Sequence, residues 1–318
     1  MNKQEPNPVI RVRVPASTAN LGPGFDTIGM AFQLYTTITM RLAETTQIRP
    51  LSTELGGLPT GKDNLLYRAA AALFCEAGLP EPEIYMEVES EIPLTRGLGS
   101  SAAALIGALT GANRLAGEPF TAEQLFSIAS KWEGHPDNVG ASLFGGVVVA
   151  TMPETEERLA PIPHVRLSVP NGIKTLVVIP DYELPTEKAR SALPEHYHRG
   201  DMIYNVGRSS LLVAAMAQGR LDLLSQAMRD RLHQPYRCPL VPGLSEMLQM
   251  ATEHGALGAA LSGAGPTMLF FYSDDQQKER LQSFIDQVMT RHAIGYKAMV
   301  LLPDEKGATI DVSKSSGA

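Results

Sequence analysis

The chain has 318 residues, enough for two domains, and its 44% hydrophobic and 19% charged residues are an ordinary globular balance. A net charge of −7 excludes a broad basic surface for nucleic acid or anionic lipid, so an anionic substrate has to be met by local arginine, lysine or backbone N–H groups. Two cysteines, Cys75 and Cys238, are too few for a disulfide framework or a cysteine zinc site.

Met1–Pro15 lacks an apolar signal core, and no run of about 18 apolar residues occurs, so no membrane span is expected and the cytoplasm is the expected compartment. Ile10, Val12 and Val14 alternate with Arg11 and Arg13, which predicts a strand over Val9–Pro15 ending at the proline. A second strand is expected around Tyr35–Leu42. Asp63 or Asn64 opens a helix whose apolar residues recur at helical spacing up to Gly78, with Cys75 read as core. Ile84–Ile92 returns to period two. A glycine-rich turn and an alanine- and glycine-rich helix to about Ala116 follow. Thr121 and Gln124 fit a capping box for a helix running to Glu133, and Gly145–Thr151 reads as a buried strand.

Pro153, Pro161, Pro163 and Pro170 break regular structure and mark a domain boundary, giving domains 1–170 and 171–318. Beyond it a strand is expected at Leu176–Ile179, with helices at Tyr204–Gln218, Leu221–Arg231 and Leu244–His254. Strands at Gly258–Leu261 and Thr267–Tyr272 flank a glycine-rich turn. A last helix carries Leu281, Phe284, Ile285, Val288 and Met289, and Ser313–Ala318 is expected to be a disordered tail. The mixture is α+β.

The most informative segment is Pro93-Leu94-Thr95-Arg96-Gly97-Leu98-Gly99-Ser100-Ser101-Ala102-Ala103, joining a strand to a helix. Its glycines let the backbone approach an anion, and Ser100 and Ser101 stand where free N–H groups and the helix dipole favour phosphate. A plain capped turn needs no glycine pair. A dinucleotide fingerprint needs an acidic residue ending a second strand about 20 residues on, and Glu118 lies instead in a Gly-Glu-Pro turn between two helices. No G-x-x-x-x-G-K-[ST] sequence is present.

This run resembles the second motif of the GHMP kinases, P-x-x-x-G-L-G-S-S-A-A, at every fixed position. Val14-Pro-Ala-Ser-Thr-Ala-Asn20-Leu-Gly-Pro-Gly24-Phe-Asp26 resembles the first motif as the homoserine kinase branch carries it. Leu261-Ser262-Gly263-Ala264-Gly265-Pro266-Thr267 resembles the third, which closes over the nucleotide phosphates. The resemblance implies a two-domain α+β fold with a ferredoxin-like C-terminal domain and the active site between the domains. It implies ATP and Mg²⁺, with Pro93–Ala103 and the adenine-side Asn64 binding ATP, and Ser100 and Glu133 touching the metal.

A hydroxy amino acid as acceptor needs a carboxylate for its ammonium and a guanidinium for its carboxylate. The resemblance to the homoserine kinases assigns Asn20 and Asp26 to the amino end of L-homoserine, and Arg190 and Arg237 to its carboxylate. His135, in Glu133-Gly-His135-Pro-Asp137-Asn138, is implied to line the same pocket. Asn138 and Thr186 are implied to orient the hydroxyl, and Asp137 stays open as an alternative base, because an amide is no general base at neutral pH. Glu133 ends a predicted helix, an unfavourable place for an anion that a nearby Mg²⁺ would offset. A homodimer is a family-level expectation. Two alternatives stay open: a GHMP kinase for mevalonate or a sugar, and a catalytically silent sensor on the same fold.

Overall fold

The structure is a computed structural model that describes residues 8–314, Glu156 and Arg158 excepted. The strands are β1 (Pro8–Asn20), β2 (Gly24–Leu42), β3 (Gln47–Pro50), β4 (Ile84–Ser90), β5 (Val147–Ala150), β6 (His164–Leu167), β7 (Lys174–Pro180), β8 (Gly258–Leu261), β9 (Met268–Tyr272), β10 (Tyr296–Leu301) and β11 (Thr309–Lys314). The α-helices are α1 (Leu65–Glu76), α2 (Ser100–Leu115), α3 (Ala122–Glu133), α4 (Asp137–Phe144), α5 (Thr186–Ser191), α6 (Arg199–Gln218), α7 (Leu224–Ala227), α8 (Gln234–Arg237), α9 (Leu244–Met250) and α10 (Asp275–Arg291).

One sheet has the order β11-β1-β2-β4-β3, with β5 paired to β2 and β6 to β5. Only β3 and β4 are parallel. The long β1 and β2 form its spine, and Ile10, Val12, Val14, Ile38 and Met40 turn to a core covered by α1 and α2. The helices begin and end as their residues dictate. Asn64 accepts the Leu66 N–H and caps α1, the Thr121–Gln124 box caps α3, and Gly78, at φ 68°, follows the end of α1.

The second sheet is antiparallel throughout, in the order β10-β7-β9-β8. Numbered within the sheet, this is the 4-1-3-2 order of the ferredoxin-like fold. Leu176, Val178, Leu261, Met268, Phe270 and Tyr272 pack beneath α9 and α10, whose Met247, Leu281, Phe284, Ile285, Val288 and Met289 complete a second core. The opposite face, with Val177, Ile179, Leu269 and Phe271, joins the core of the first sheet. Both faces of β9 are therefore dry, which is why Met-Leu-Phe-Phe-Tyr is apolar without alternation.

Several expectations are corrected. β1 does not stop at Pro15 but continues to Asn20 through a register shift at Pro15/Ala16, an irregularity that accommodates a residue with no N–H to give. The helix expected over Leu221–Arg231 reduces to a 3₁₀ turn at Leu221–Leu223 and the short α7. It stops because the Asp230 carboxylate takes the N–H groups of Leu232, His233 and Gln234. Cys75 is exposed rather than core, since it stands on the outward face of α1 next to buried Phe74. Ser313 and Lys314 belong to β11, which pairs with β1; residues 315–318 of the expected tail lie outside the described residues. That pairing also returns Thr309–Lys314 to the first sheet.

Candidate active site

Between the two sheets lies a cleft of about 150 Å³ where the ends of several elements meet. The loop from Pro93 to Gly99 leads from β4 into α2 and forms one wall. Gly97 and Gly99 hold φ of 80° and 69°. A Cβ on Gly97 would stand 2.3 Å from the Ser262 carbonyl oxygen, and one on Gly99 would stand 2.1 Å from Ser17 Oγ. These glycines are needed because two other strands' ends press against the loop. Ser262 Oγ lies 2.6 Å from the Gly97 carbonyl oxygen, the Ser17 N–H donates to the Leu98 carbonyl at 3.2 Å, and the Gly263 N–H donates to the Ala19 carbonyl at 3.2 Å. The N-terminal turn of α2 thus opens on the cleft with its N–H groups free of side-chain caps, a site suited to phosphate.

The opposite end of the cleft is charged. Arg190 of α5 donates two parallel bonds to Asp26, at 2.8 and 2.9 Å. Arg237 is only 2% exposed. Its Nε donates to the Ala189 carbonyl at 3.2 Å, its Nη1 donates to the Gly263 carbonyl at 2.9 Å, and no carboxylate among the described residues pairs with it. Burial, and secondly the nearby Arg190, push this guanidinium down to about 10. His233 supports it from beneath. Its Nε2–H donates to the Gly22 carbonyl at 2.7 Å, so Nδ1 is left to accept from Arg237 Nη1 at 3.1 Å. Phe25 stacks on His233 with ring centroids 5.2 Å apart, while both arginines approach the same ring. The turn that carries these groups is strained: Asn20, Leu21 and Asp26 all have positive φ.

Along the third wall, α3 ends at Glu133 and α4 starts at Asp137. Glu133 Oε1 accepts from Ser101 Oγ at 2.5 Å. Asp137, 1% exposed, places Oδ1 2.6 Å from both His135 Nδ1 and the Asn138 N–H. Burial alone would pull the His135 imidazole below its usual 6.5, but the Asp137 and Asp26 carboxylates more than offset it, and the net shift is upward. A group raised in the fold contributes stability below its unfolded titration near pH 6.5, and that contribution is lost as pH rises through the higher folded value. His135→Gln is accordingly expected to lower the melting temperature more at about pH 6 than at about pH 9. Melts of both proteins across that range test it, and an equal deficit at both ends would show the ring to be neutral throughout.

The family model described as GHMP kinases N terminal domain matches residues 64–146, and GHMP kinases C terminal matches residues 212–291. A homoserine kinase of Deinococcus radiodurans is 45% identical over 303 residues, covering 95% of this chain and 97% of the relative. One of Desulfitobacterium hafniense is 41% identical over 302 residues, covering 95% of this chain and all of the relative. The chain belongs to the homoserine kinase family of the GHMP kinases. The solved homoserine kinase of Cytophaga hutchinsonii superposes with a TM-score of 0.82 at 26% identity, covering 98% of this chain and 99% of that one. A mevalonate kinase structure, at a TM-score of 0.65 and 14% identity, shares the fold alone. As a GHMP kinase the chain is a phosphotransferase that uses ATP.

Within this homoserine kinase fold, the cleft brings together Asn20, Asp26, Gly97, Gly99, Ser100, Glu133, His135, Asn138, Thr186, Arg190 and Arg237. Asn64 stands apart. It caps α1, donates to the Pro59 carbonyl, and lines a separate small apolar pocket with Ile48, Leu55, Leu58 and Val88. The hydroxyl that meets Glu133 is that of Ser101, with Ser100 beside it in the lining. Sequence reasoning did not single out Phe25, Ser17, Asp230 or His233. Phe25 and Ser17 sit inside the first motif, where attention falls on its polar ends. His233 is four residues before Arg237, the spacing of one helical turn, and that was a usable signal.

Proposed function

We propose that this chain transfers the γ-phosphoryl group of ATP to the side-chain hydroxyl of L-homoserine, forming O-phospho-L-homoserine in threonine biosynthesis. The observation that carries the acceptor is Arg237: a buried guanidinium that faces the cleft with no carboxylate partner among the described residues, beside an Asp26–Arg190 pair. A zwitterion completes this set. Its carboxylate meets Arg237 and Arg190, and its ammonium meets Asp26 with Asn20 and the Asp137 carboxylate nearby. The ligand atoms of Asp26, His135 and Asp137 lie within 4.8 Å of one another, compact enough to surround an ammonium. Mevalonate offers a carboxylate and no cation, so it would compete with Asp26 for Arg190 while giving Asp26 nothing in return.

Transfer of a phosphoryl group rests mainly on positioning and charge neutralisation. Backbone N–H groups of Gly97–Ser101 hold the phosphates at the start of α2, beneath the Gly263–Gly265 loop. The Glu133 carboxylate with the Ser101 and Ser100 hydroxyls is a small set of hard oxygen donors, which suits Mg²⁺, since that ion takes few protein ligands and fills its shell from phosphates and water. Bound there, Mg²⁺ supplies neutralisation of the phosphate oxygens. Asn138 and Thr186 orient the acceptor hydroxyl. Asp137 holds His135 through an oxygen already shared with the Asn138 N–H, and we assign it to positioning rather than to proton removal. Following the family resemblance, we assign the adenine to the Asn64 side of the cleft. The cytoplasm is the compartment, residues 1–170 with β11 form one unit and the rest a second, and a homodimer is the assembly expected of the family.

The test is ADP release with Mg²⁺ across L-homoserine, L-threonine, L-serine, mevalonate and galactose. Turnover with L-homoserine well above the others is expected. Turnover with mevalonate or galactose alone would keep the kinase and overturn the acceptor, and tight ATP binding with no turnover would favour a sensor.

A further inference from the structure

Behind Asn138, where α4 packs on β1 and β2, lies a short chain of buried hydroxyls. Ser142 Oγ donates to Ser17 Oγ at 3.1 Å, and Ser17 Oγ donates to Asn138 Oδ1 at 2.9 Å. Ser17 and Ser142 are both fully buried, so water does not compete for these bonds. A hydroxyl has one proton to give. Were the chain to run the other way, from the amide NH₂ to Ser17 and on to Ser142, the Ser142 proton would need a further acceptor, and none is present among the described residues. The direction is therefore fixed, and it ends on the amide oxygen.

We propose that Ser17 is a positioning residue for phosphoryl transfer: it takes the Asn138 amide oxygen into the protein and so turns the amide NH₂ toward the cleft. The inference rests on the kinase reading above and deepens it, because it fixes what Asn138 does. Nδ2 has no partner among the described residues, and Asn138 lines the cleft while Ser17 does not. An amide held this way donates to an oxygen of the acceptor or of the phosphoryl group in flight. It does not accept the hydroxyl proton. The phosphate loop makes room for the device, since the missing Cβ of Gly99 is the space that Ser17 Oγ fills, 2.1 Å from where that carbon would stand. The loop, the first-motif strand and α4 thus meet at one hydroxyl, so the donor is aligned with the phosphates by the element that binds them.

A double-mutant cycle tests this. Ser17→Ala should lower kcat about 10-fold, the worth of one hydrogen bond, with both KM values within about twofold. Asn138→Ala should lower kcat about 100-fold, as for loss of a donor aimed at developing charge, and Ser17→Ala/Asn138→Ala should be no slower than Asn138→Ala alone. Multiplicative losses, or an unchanged kcat in Ser17→Ala, would overturn the proposal. Ser17→Ala leaves the Ser142 hydroxyl without a partner, so Ser17→Ala/Ser142→Ala is made as well. It should recover melting temperature and keep the same kcat loss; recovery of kcat with stability would mean that Ser17 is only structural. Asn138→Asp should be slower than wild type, because it presents an anion where a donor is needed, and full activity in that variant would reverse the assignment. The cycle is read on whichever acceptor the wild-type enzyme turns over, so a wrong acceptor and a wrong role for Ser17 give different results.

Discussion

Arg237→Met is expected to cost about 10³-fold in kcat/KM for L-homoserine, almost all of it through KM, with ATP binding retained. Loss of one partner from a buried, charge-assisted pair is worth about 3–5 kcal/mol, which is that factor. The arginine also holds the Ala189 and Gly263 carbonyls, and since Asn20 Nδ2 still donates to Gly263, the variant is expected to lose about 1–3 kcal/mol of stability, mainly for the Ala189 carbonyl. Arg237→Lys separates the two effects. It keeps the charge but loses the fork that reaches carboxylate and carbonyls together, and its kcat/KM should fall between wild type and Arg237→Met. Steady-state kinetics at saturating ATP, with nucleotide binding by calorimetry, read both. An unchanged KM for L-homoserine in Arg237→Met would remove the carboxylate clamp from the reading.

Gly97→Ala should weaken ATP binding by about 100-fold or more, while calorimetric binding of L-homoserine changes far less. The added carbon would lie 2.3 Å from the Ser262 carbonyl oxygen and 3.0 Å from that of Gly265, at a φ of 80°. Left-handed backbone alone costs a non-glycine residue about 1–2 kcal/mol. The contact costs more, because backbone on the other side must retreat, and with it the two loops that together enclose the phosphates. Gly117→Ala is the control. It has a similar φ of 88° but nothing within 4 Å, so it bears the strain without the clash. If both variants bind ATP equally well, the loops are not coupled through Gly97.

The parts of this protein that sequence made visible are those where one residue type is obligatory. A capping box, a glycine pair before two serines, and long amphipathic helices such as α10 each demand particular residues at particular spacing. β3, β6, β10 and β11 were not visible, since a strand of four to six residues with one face open to solvent needs no strict alternation. α4 escaped because it begins inside the site and contains Gly140, which a reading by propensity counts against a helix. There the glycine is a packing requirement, as its Cβ would stand 2.8 Å from Val148. Asp26 of the first motif and Arg190 of α5 were assigned by resemblance to opposite ends of a substrate, the ammonium and the carboxylate. The fold shows what motif reading alone could not, that these two bond to each other. Asp230 was invisible for a different reason. Its work is on backbone N–H groups, and no local pattern announces it, whereas His233 had only its four-residue spacing to Arg237 to mark it.

The edge strand β11 pairs with β1 along Pro8–Arg13, so residues near the start of the chain find their partners about three hundred residues later. During synthesis on the ribosome, therefore, the sheet that carries the first motif waits with an open edge until Thr309–Lys314 have emerged. The phosphate loop, the arginines and the second sheet are all made before that edge can close. Closing so long a loop is slow, and an unpaired strand is exposed to wrong partners meanwhile. The exposed Arg11 and Arg13 on that edge are the kind of charges that discourage such pairing.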